Sequence, residues 1–423
     1  MKVFKFGGAS VKDSTAVRNV SSLLAKFSGE KLTVVVSAMG KSTNKLEEIV
    51  QALVNRDKNL FETNLEELTQ FHIDILGNLF AEKHFKVYHQ IDETLELIAK
   101  KYDEPIPENR AFLYDQIVSL GEVLSTFILS AYLQEEGHKA KWVDVRKLIR
   151  TNSTYQEGKV DWNKTEELIN QTFLPLFDNN DILITQGFIG HTTEGFTTTL
   201  GREGSDYTAG ILAYCTNAES VTIWKDVPGM LNADPKYFNN TVKLDSISFK
   251  EAIELSYYGA SVIHPKTIQP LQKKNIPLYV KSFLNPEDEG TIIQQSTEKD
   301  NLTPSFIIKK DQVLFSFTTK DFSFIVEENL SDIFDKLTKA KVTMNLMQNS
   351  ALDFSILVDS KKVNVNEFIS IFADDYHVKY NSALQLATIR HYNEATIAQL
   401  IEKKDVLLEQ RTRHTIRLVL KDK

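Results

Sequence analysis

The stretch Val3-Phe4-Lys5-Phe6-Gly7-Gly8-Ala9-Ser10 places a short β-branched and aromatic run directly before two glycines. Such a run predicts a buried strand, and the small residues after it predict a tight strand-to-helix turn. Backbone N–H groups in a turn of this kind can approach a phosphate closely, and Lys5 adds a positive charge at the same place. The residues alone leave two interpretations open, an ordinary tight turn and a phosphate-binding turn.

Similar apolar runs recur through the first 290 residues, where they alternate with longer helical patterns. Runs that are apolar at consecutive positions are typical of strands buried on both faces, and their alternation with helices is typical of crossover units. We therefore expect an α/β fold with an open, mostly parallel sheet sandwiched by helices. The predicted strands are Val3–Phe6, Leu32–Ser37, Trp142–Val145, Ile182–Gln186, Val221–Trp224 and Leu278–Lys281.

Two helical segments lie between these strands. A polar segment over residues 60–101 predicts a helical insertion that two prolines end. The next segment, Ala111–Glu135, has apolar residues at steps of three and four, which predicts one core helix. A second, polar stripe on this helix contains Ser119, Glu122, Ser125 and Thr126. An acid in an otherwise apolar helix either pairs with another group or faces solvent, and the pattern leaves both interpretations open.

All 17 glycines lie at or before Gly290, so the chain has two compositional parts. We expect a catalytic domain at residues 1–295. The glycine-free part predicts a βαββαβ unit over residues 303–381 and a shortened βαββ unit over residues 382–423. Two small α+β units in tandem favour a regulatory or oligomerisation role over a second active site. The strands predicted there are Gln312–Thr318, Val342–Met347, Phe354–Val358, Val378–Tyr380, Leu384–Arg390, Val406–Glu409 and Thr415–Leu420, and the helices are Leu330–Ala340, Val365–Phe372 and Glu394–Lys403.

The composition narrows the protein class. The 423 residues include 49 Lys and Arg against 57 Asp and Glu, a formal net charge of −8, which disfavours a nucleic-acid partner. The single cysteine, Cys215, excludes an intrachain disulfide and a cysteine-based zinc site. The N-terminal residues lack the apolar segment of a signal peptide, and we expect no apolar stretch close to the ~20 residues of a membrane span. These features predict a soluble, cytoplasmic protein with no membrane partner.

Several common motifs are missing. No G-x-G sequence occurs, which disfavours a dinucleotide-binding dehydrogenase. Gly40-Lys41-Ser42 is similar to the end of a P-loop, but Val35 replaces the glycine that the motif needs upstream. The nine histidines show no ligand spacing, so no protein-based metal site is predicted.

A second glycine turn lies in Thr198–Ala209, where Gly201 and Gly204 flank Arg202 and Glu203. This segment predicts a turn that opens a helix carrying Tyr207 to Cys215, with Ser205 or Asp206 as its N-cap. The planar guanidinium of Arg202 suits a carboxylate or a phosphate. Two such turns could hold one polyphosphate from both sides.

Two further loops have a functional and a structural interpretation. Trp224–Met230 leaves a predicted strand through a Pro-Gly turn, and ligands bind at this end of the strands in open α/β sheets. An ordinary surface loop is equally compatible with those residues. In the turn Gly259–Pro265 we expect His264 to cap a helix rather than to catalyse.

Taken together, these segments resemble the aspartate kinases of the amino-acid kinase superfamily, and the glycine-free end resembles their paired ACT modules. The resemblance covers essentially the whole chain. The matching segments are Lys5–Val11, Val36-Ser37-Ala38 with Thr43-Asn44, Leu120-Gly121-Glu122, Arg150-Thr151-Asn152, Gln186–Gly190, Gly201-Arg202 with Gly204-Ser205-Asp206, and Trp224 with Asp226–Gly229.

This resemblance implies transfer of the γ-phosphoryl group of ATP to the β-carboxylate of L-aspartate, with Mg²⁺ as cofactor, as the first step of lysine, threonine and methionine biosynthesis. A free aspartate side chain, with a pKa of about 3.9, is already ionised at pH 7, so no general base is needed. Lys5 is the implied neutraliser of the transferring phosphoryl group, and Asp206 is the implied organiser of lysine or magnesium. The implied substrate-binding residues are Ser37, Thr43, Glu122, Arg202 and Ser205, and the implied nucleotide-binding residues are Lys5, Gly7, Gly8, Ser10, Lys225, Asp226, Lys236, Tyr237, Ser261 and Val262.

The resemblance also implies a homodimer or higher homo-oligomer through the ACT-like modules, and an amino-acid effector. The chain departs from the family pattern at several positions. Glu203 stands at a common glycine and Ser261 at a common lysine. Asn345 stands where lysine-sensing relatives have an aspartate, and Phe322–Glu328 stands where they have a glycine-bearing loop. We therefore expect lysine feedback to be reduced or altered.

Two alternatives stay open at this point. One is a kinase for another carboxylate, such as glutamate, N-acetylglutamate or carbamate. Glu122 disfavours the N-acetylated and amine-free acceptors among these, because an acceptor without an ammonium group leaves that acid unpaired. The other is an amino-acid sensor without catalysis. The length leaves no room for a fused homoserine dehydrogenase, so we expect a monofunctional enzyme.

Overall fold

The computed structural model describes residues 1–80, 85–260, 263–321 and 323–423. The chain forms two compact units. The first unit contains Met1–Leu231, Lys243–Ser256 and the described residues between Ser261 and Asp300. The second unit contains Asn232–Val242, Tyr257–Ala260 and Asn301–Lys423.

Strands and helices alternate through the first 294 residues. In chain order the elements are β1 (Lys2–Phe6), α1 (Ser14–Ala25), β2 (Leu32–Val36), α2 (Ser42–Val54), α3 (Lys58–Leu79), α4 (Phe85–Lys100), α5 (Arg110–Val118), α6 (Leu120–Glu135), β3 (Ala140–Val143), α7 (Trp162–Leu168), β4 (Ile182–Gln186), β5 (Ile189–His191), β6 (Thr197–Thr199), α8 (Gly204–Thr216), β7 (Ser220–Lys225), β8 (Ser246–Ser248), α9 (Phe249–Tyr258), α10 (Pro265–Lys274), β9 (Leu278–Ser282) and β10 (Thr291–Gln294).

One large sheet organises the first unit. Over the described residues its strand order is β3-β4-β2-β1-β7-β9-β10-β8. The strands from β3 to β9 are parallel, whereas β10 is antiparallel to β9 and parallel to β8. Every residue of β2 and β4 is buried, as expected for strands covered on both faces. The expected open, mostly parallel α/β sheet is confirmed.

The prediction of a single helix over Ala111–Glu135 is wrong. The structure has two helices there, α5 and α6, which meet at the buried residue Ser119. By length and composition the pair could cross a membrane, contrary to the expectation that no apolar stretch is that long. However, 83% of its most apolar window is buried inside the protein, as in the core helix of a globular fold. Length and composition alone are therefore weak grounds for a membrane span here.

Both glycine turns lead into helices, with different boundaries from those predicted. After Gly7-Gly8 the chain makes a short 3₁₀ turn, and α1 begins at Ser14, with the carboxylate of Asp13 accepting a hydrogen bond from the Ala16 N–H at 2.8 Å. The helix α8 begins at Gly204. Ser205 and Asp206 therefore lie in its first turn and do not cap it, so that prediction is wrong.

The second unit is built on an antiparallel sheet. Over the described residues its strand order is β12-β13-β11-β14-β16-β15. The elements are β11 (Ser305–Thr319), α11 (Glu327–Lys339), β12 (Met344–Asn349), β13 (Asp353–Asp359), α12 (Val365–Phe372), β14 (Tyr376–Arg390), α13 (Glu394–Ile401), β15 (Lys404–Arg411) and β16 (Thr415–Asp422).

The strands predicted at Val378–Tyr380 and Leu384–Arg390 are one continuous strand, β14. Its pairing with β11 shifts register near residues 309–314, where Asp311 and, on β14, Ala383 have positive φ angles. At the predicted boundary between residues 381 and 382 the strand is therefore continuous, and only its hydrogen-bond register with β11 is irregular. The two small α+β modules consequently share one sheet, with separate apolar clusters beneath α11 and α12 and beneath α13.

Candidate functional site

The first unit has a cavity of about 680 Å³ where several parallel strands end. Lys5 comes from the end of β1, Ser37 directly follows β2, and Lys225 ends β7. This edge of an open α/β sheet is the usual place for a ligand. Eight of the residues predicted to bind substrate or nucleotide line the cavity: Lys5, Ser37, Thr43, Glu122, Arg202, Ser205, Asp206 and Lys225.

A group of three charged side chains lies in the cavity wall. The Nζ atom of Lys5 is 2.6 Å from Oδ1 of Asp206, and both side chains are largely buried. Nζ of Lys225 is 3.9 Å from the other carboxylate oxygen. Asp206 lies in the first turn of α8, where the helix dipole favours a negative charge. One carboxylate thus orients two ammonium groups toward the same space.

Glu122 lies on α6 and is 3% exposed. The backbone N–H of Ala38 lies 3.3 Å from its Oε1, while Oε2 has no hydrogen-bond partner among the described residues. Burial raises the pKa of this carboxyl to about 8, although the Ala38 N–H and the charge of Lys5 act in the opposite direction. Glu122 is therefore buried, yet only one of its two carboxylate oxygens has a partner among the described residues. It fits neither of the two interpretations that the sequence left open.

The rest of the polar stripe on α6 is buried and bonded to the sheet. The hydroxyl of Ser125 donates to the carbonyl of Ser37 at 2.7 Å. The hydroxyl oxygen of Thr126 accepts hydrogen bonds from Trp142 at 2.9 Å and from Gln186 at 3.0 Å. These bonds hold α6, and with it Glu122, against the strand ends.

The loop before α8 carries Arg202 and Glu203. Arg202 is exposed and makes no ion pair or hydrogen bond within the described parts of the chain. Glu203 has a φ angle of 53°, a left-handed conformation that glycine adopts more easily. Its carboxylate accepts a hydrogen bond from the His264 N–H at 2.8 Å, so the departure from glycine has a structural role. The ring of His264 accepts from the Lys266 N–H at 3.2 Å, which confirms it as the cap of α10.

The first glycine turn is sterically tight. A Cβ atom on Gly8 would lie 2.7 Å from the carbonyl oxygen of Ala38 and 2.9 Å from that of Gly40, so a side chain at position 8 would displace the backbone. Ser10 is buried, and its hydroxyl has no partner among the described residues. Gly7, Gly8 and Ser10 are not part of the cavity wall.

The remaining predicted nucleotide residues lie elsewhere. Asp226 is exposed and is not part of the cavity wall. Lys236 and Tyr237 belong to the second unit, where the ammonium of Lys310 lies 4.5 Å from the Tyr237 ring. Ser261, Val262 and Phe322 lie outside the described residues.

Several wall residues were not predicted. The hydroxyl of Tyr114 donates to Glu47 at 2.7 Å, and burial, reinforced by that carboxylate, raises the pKa of Tyr114. Phe188 has a φ angle of 71° and belongs to a segment that matched the family, but nothing in its residue type indicated a site role. The pairing of Tyr114 with Glu47 has no sequence signal. The wall residues that the sequence did not single out are Glu47, Tyr114, Gln156, Glu157 and Phe188, whereas Thr199, Gly201, Glu203 and Gly204 belong to the predicted second glycine turn.

Comparison with known proteins gives consistent matches. The model of the amino acid kinase family matches residues 1–282. Lysine-sensitive aspartokinase 3 of Escherichia coli strain K12 is 33% identical over 359 residues, which cover 85% of this chain and 78% of that protein. Two crystal structures of E. coli aspartokinase III, each 26% identical with a TM-score of 0.80, cover 99% of this chain and 96% or 95% of theirs. The first is a complex with aspartate and ADP in the R-state, and the second is a complex with lysine and aspartate in the T-state. Because these matches include the strand ends that form the cavity and extend through the second unit, the chain belongs to the amino acid kinase family and, within it, to the aspartokinases.

Proposed function

We infer that this chain transfers the γ-phosphoryl group of ATP to the β-carboxylate of L-aspartate and so produces 4-phospho-L-aspartate and ADP. One observation carries the inference: a single cavity is lined both by a group of two lysines and an aspartate and by a buried acid, one of whose oxygens has no hydrogen-bond partner among the described residues. The first group suits a phosphoryl group, and the acid suits an ammonium. The complex of E. coli aspartokinase III with aspartate and ADP supports the same pair of ligands.

At the phosphoryl end, the reaction needs charge neutralisation more than proton transfer. A β-carboxylate oxygen attacks the γ-phosphorus, and the bond from that phosphorus to the β–γ bridging oxygen breaks, so its electron pair leaves with ADP. The transition state is loose, and its charge is spread over the transferring oxygens. We assign Lys5 to these oxygens and Lys225 to the nucleotide phosphates, with Asp206 holding both ammonium groups in place.

At the acceptor end, the two charged groups match the two ends of an amino acid. We assign Glu122 to the substrate ammonium and Arg202 to its α-carboxylate, the latter through two parallel N–H···O bonds. Ser37, Thr43 and Ser205 line the same cavity and are assigned to the β-carboxylate and its surroundings. Glu122 must be ionised to bind the ammonium, and the approach of that cation lowers the pKa that burial had raised.

The charged groups of the cavity are compatible with Mg²⁺ that enters bound to the phosphates of ATP. Such an ion usually takes one or two protein carboxylates and completes its shell with phosphates and water. Because both oxygens of Asp206 face lysine ammonium groups, the phosphates and water would hold the ion, and it would neutralise phosphate charge there. No group of three or more His, Cys, Asp or Glu side chains in the described ranges is arranged for a metal.

The nucleotide contacts of the remaining residues stay proposals. The buried hydroxyl of Ser10, which lacks a partner in the described chain, supports a role for the Gly7-Gly8-Ser10 turn. Asp226, Lys236, Tyr237, Ser261 and Val262 are assigned by family resemblance. We also propose a homo-oligomer formed through the second unit, an amino-acid effector bound there, and a cytoplasmic location.

The reaction is tested by trapping its product. Purified protein is incubated with ATP, Mg²⁺ and one acceptor, and hydroxylamine converts any acyl phosphate to a coloured hydroxamate. We expect product with aspartate and background with N-acetylaspartate, because the acetylated acceptor has no ammonium for Glu122. No hydroxamate with any acceptor would support the sensor alternative, and faster reaction with glutamate or N-acetylglutamate would identify a different carboxylate kinase.

A further inference from the structure

A second acid in the same helical region has a different environment from Glu122. Asp115, on α5, has no exposed surface. Its Oδ2 accepts hydrogen bonds from the backbone N–H of Gln156 at 2.9 Å and of Thr199 at 2.8 Å. Its Oδ1 accepts from the hydroxyl of Thr199 at 2.8 Å. One carboxylate therefore joins two chain segments that lie far apart in the sequence.

Both of these segments form the cavity wall. Gln156, Glu157 and Thr199 line the cavity together with Arg202, which follows Thr199 by three positions. The two segments also bond directly, since the Gly158 N–H donates to the Thr199 carbonyl at 2.8 Å. Gln156 has a φ angle of 66°, so its backbone conformation depends on such contacts.

Asp115 itself is not part of the cavity wall. Asp115 therefore acts on a ligand in the cavity through the residues it holds or through its charge, and not by direct contact. Removal of its carboxylate would leave two buried backbone N–H groups and one hydroxyl without their acceptor, and such groups are costly to leave unbonded. The segments would then move to find water or another acceptor, and the backbone before Arg202 would move with them.

We propose that Asp115 is a positioning residue for acceptor recognition: it fixes the wall that carries Arg202 and thereby sets the distance from the guanidinium to the Lys5–Asp206 pair. The proposal rests on the assignment of Arg202 to the α-carboxylate. Aspartate and glutamate differ by one methylene group between their carboxylates. A wall held at a fixed distance from the phosphoryl group accepts the shorter acid and misplaces the reacting carboxylate of the longer one.

Two substitutions separate positioning from simple loss of charge. Asp115→Ala removes both carboxylate oxygens and with them all three hydrogen bonds. Asp115→Asn keeps the shape: its amide oxygen can accept from both backbone N–H groups, while its NH₂ donates to the Thr199 hydroxyl oxygen. Asp115→Asn is thus the conservative variant expected to restore what Asp115→Ala loses.

We expect Asp115→Ala to raise KM for aspartate at least about 10-fold while KM for ATP stays within about twofold. The preference for aspartate over glutamate, measured as the ratio of kcat/KM values, should fall by about 10-fold, within the range that one methylene group normally supports. Asp115→Asn should remain close to the wild type in both measurements. A role in folding alone would lower the yield of active enzyme and leave both KM values and the acceptor preference unchanged, which would overturn the proposal.

Calorimetric titration with aspartate, without nucleotide, tests the positioning role of Asp115 separately from the proposed reaction, because it measures binding and not turnover. A wild type that makes no hydroxamate yet binds aspartate more tightly than Asp115→Ala would refute the reaction and retain the positioning role. Equal affinity in the two proteins would refute the positioning role.

If Asp115→Ala does not fold, Thr199→Val removes only the hydroxyl contact, and it should weaken aspartate binding by roughly 3-fold. Unchanged binding in that variant would also count against the proposal.

Discussion

The side chains of Glu122 and Arg202 at the cavity and the side chain of Asn345 in the second unit differ in how far their hydrogen-bonding groups are satisfied within the protein. Near the cavity, Oε2 of Glu122 and the guanidinium of Arg202 have no partner in the described parts of the chain. Around Asn345, the side-chain NH₂ donates to Gln312 at 2.7 Å and to Asp359 at 2.9 Å, and the side-chain oxygen accepts from Lys309 at 3.0 Å.

This difference separates two uses of polar side chains. A polar group that is fully bonded within the protein stabilises the fold, whereas a buried group left incompletely bonded, as Glu122 is, carries a cost that a ligand can remove. We therefore expect substitutions in the cavity to change catalysis and binding, and substitutions around Asn345 to change mainly stability.

The largest effect is expected from Lys5→Met. The variant removes the ammonium group that we assign to the transferring phosphoryl oxygens, while Lys225 remains 3.9 Å from Asp206. Loss of one such preorganised donor lowers kcat by roughly 10²–10³-fold. Steady-state kinetics at saturating ATP and aspartate measure the change.

The matched control is Lys101→Met, which removes a lysine of the first unit that pairs with Glu104 at 2.6 Å outside the cavity. Its kcat should equal that of the wild type. Because Lys5→Met leaves Asp206 short of its nearest cation, circular dichroism must show that the variant is folded. A folded Lys5→Met protein that keeps more than about a tenth of the wild-type kcat would contradict the assigned role.

Glu122→Gln should stabilise the protein without ligands, and more so at higher pH. Burial raises the folded-state pKa of Glu122 to about 8 from the ordinary value of 4.5. Between these values the folded state holds a proton that the unfolded state has released, so raising the pH lowers stability by up to about 1.4 kcal/mol per pH unit. Glutamine does not titrate and avoids this loss, while its amide oxygen can still accept from Ala38.

The measurement is the difference in unfolding free energy between wild type and Glu122→Gln at several pH values from 5 to 8.5. Other titrating groups, such as His72, whose pKa burial lowers to about 4, are common to both proteins and cancel in the difference. The advantage of the variant should grow up to about pH 8 and then level off. A constant difference would show that Glu122 does not titrate in this range.

The same substitution should weaken aspartate binding. A contact between a carboxylate and an ammonium contributes about 1.5–3 kcal/mol, so KM for aspartate should rise roughly 10- to 100-fold in Glu122→Gln. KM for ATP should change little. For the wild type, kcat/KM for aspartate should rise with pH toward about 8 as Glu122 ionises, and the variant should lack this rise. Equal losses for both substrates would place Glu122 outside the acceptor subsite.

The sequence was sufficient to predict strands that end at one edge of the sheet and to single out Glu122, whose role stays a prediction. Buried parallel strands are visible as apolar runs, and an acid in an apolar helix is visible by contrast with its neighbours. Asp115 shows the same contrast between Leu113 and Ile117, but its partners lie 41 and 84 positions further along the chain. Which acid opens to the cavity and which is bonded inside the wall depends on that tertiary contact.

Backbone irregularities account for most of the other differences. The break between α5 and α6 at Ser119 has no proline beside it, and β14 continues through Ala383 at a φ angle of 56°, where the pattern predicted a boundary between two units. Glu203 adopts a left-handed conformation that its residue type does not favour, because its carboxylate bonds to the His264 N–H. In each case the surrounding structure decides a conformation that local propensity would not choose.

The smallest effect is expected in the second unit. Asn345→Asp would replace an NH₂ group that donates to Gln312 and Asp359 by a carboxylate oxygen, which cannot donate and would repel the Asp359 carboxylate. We expect a loss of roughly 1–2 kcal/mol in unfolding free energy, with kcat and both KM values unchanged.

The control is Asn366→Asp, a substitution at an exposed position in the first turn of α12. It should not lower stability, because a helix N-terminus favours negative charge. If Asn345→Asp were instead as stable as the wild type and became inhibited by lysine, the Asn345 cluster would be a ligand site like the cavity, and the contrast between the two regions would fail.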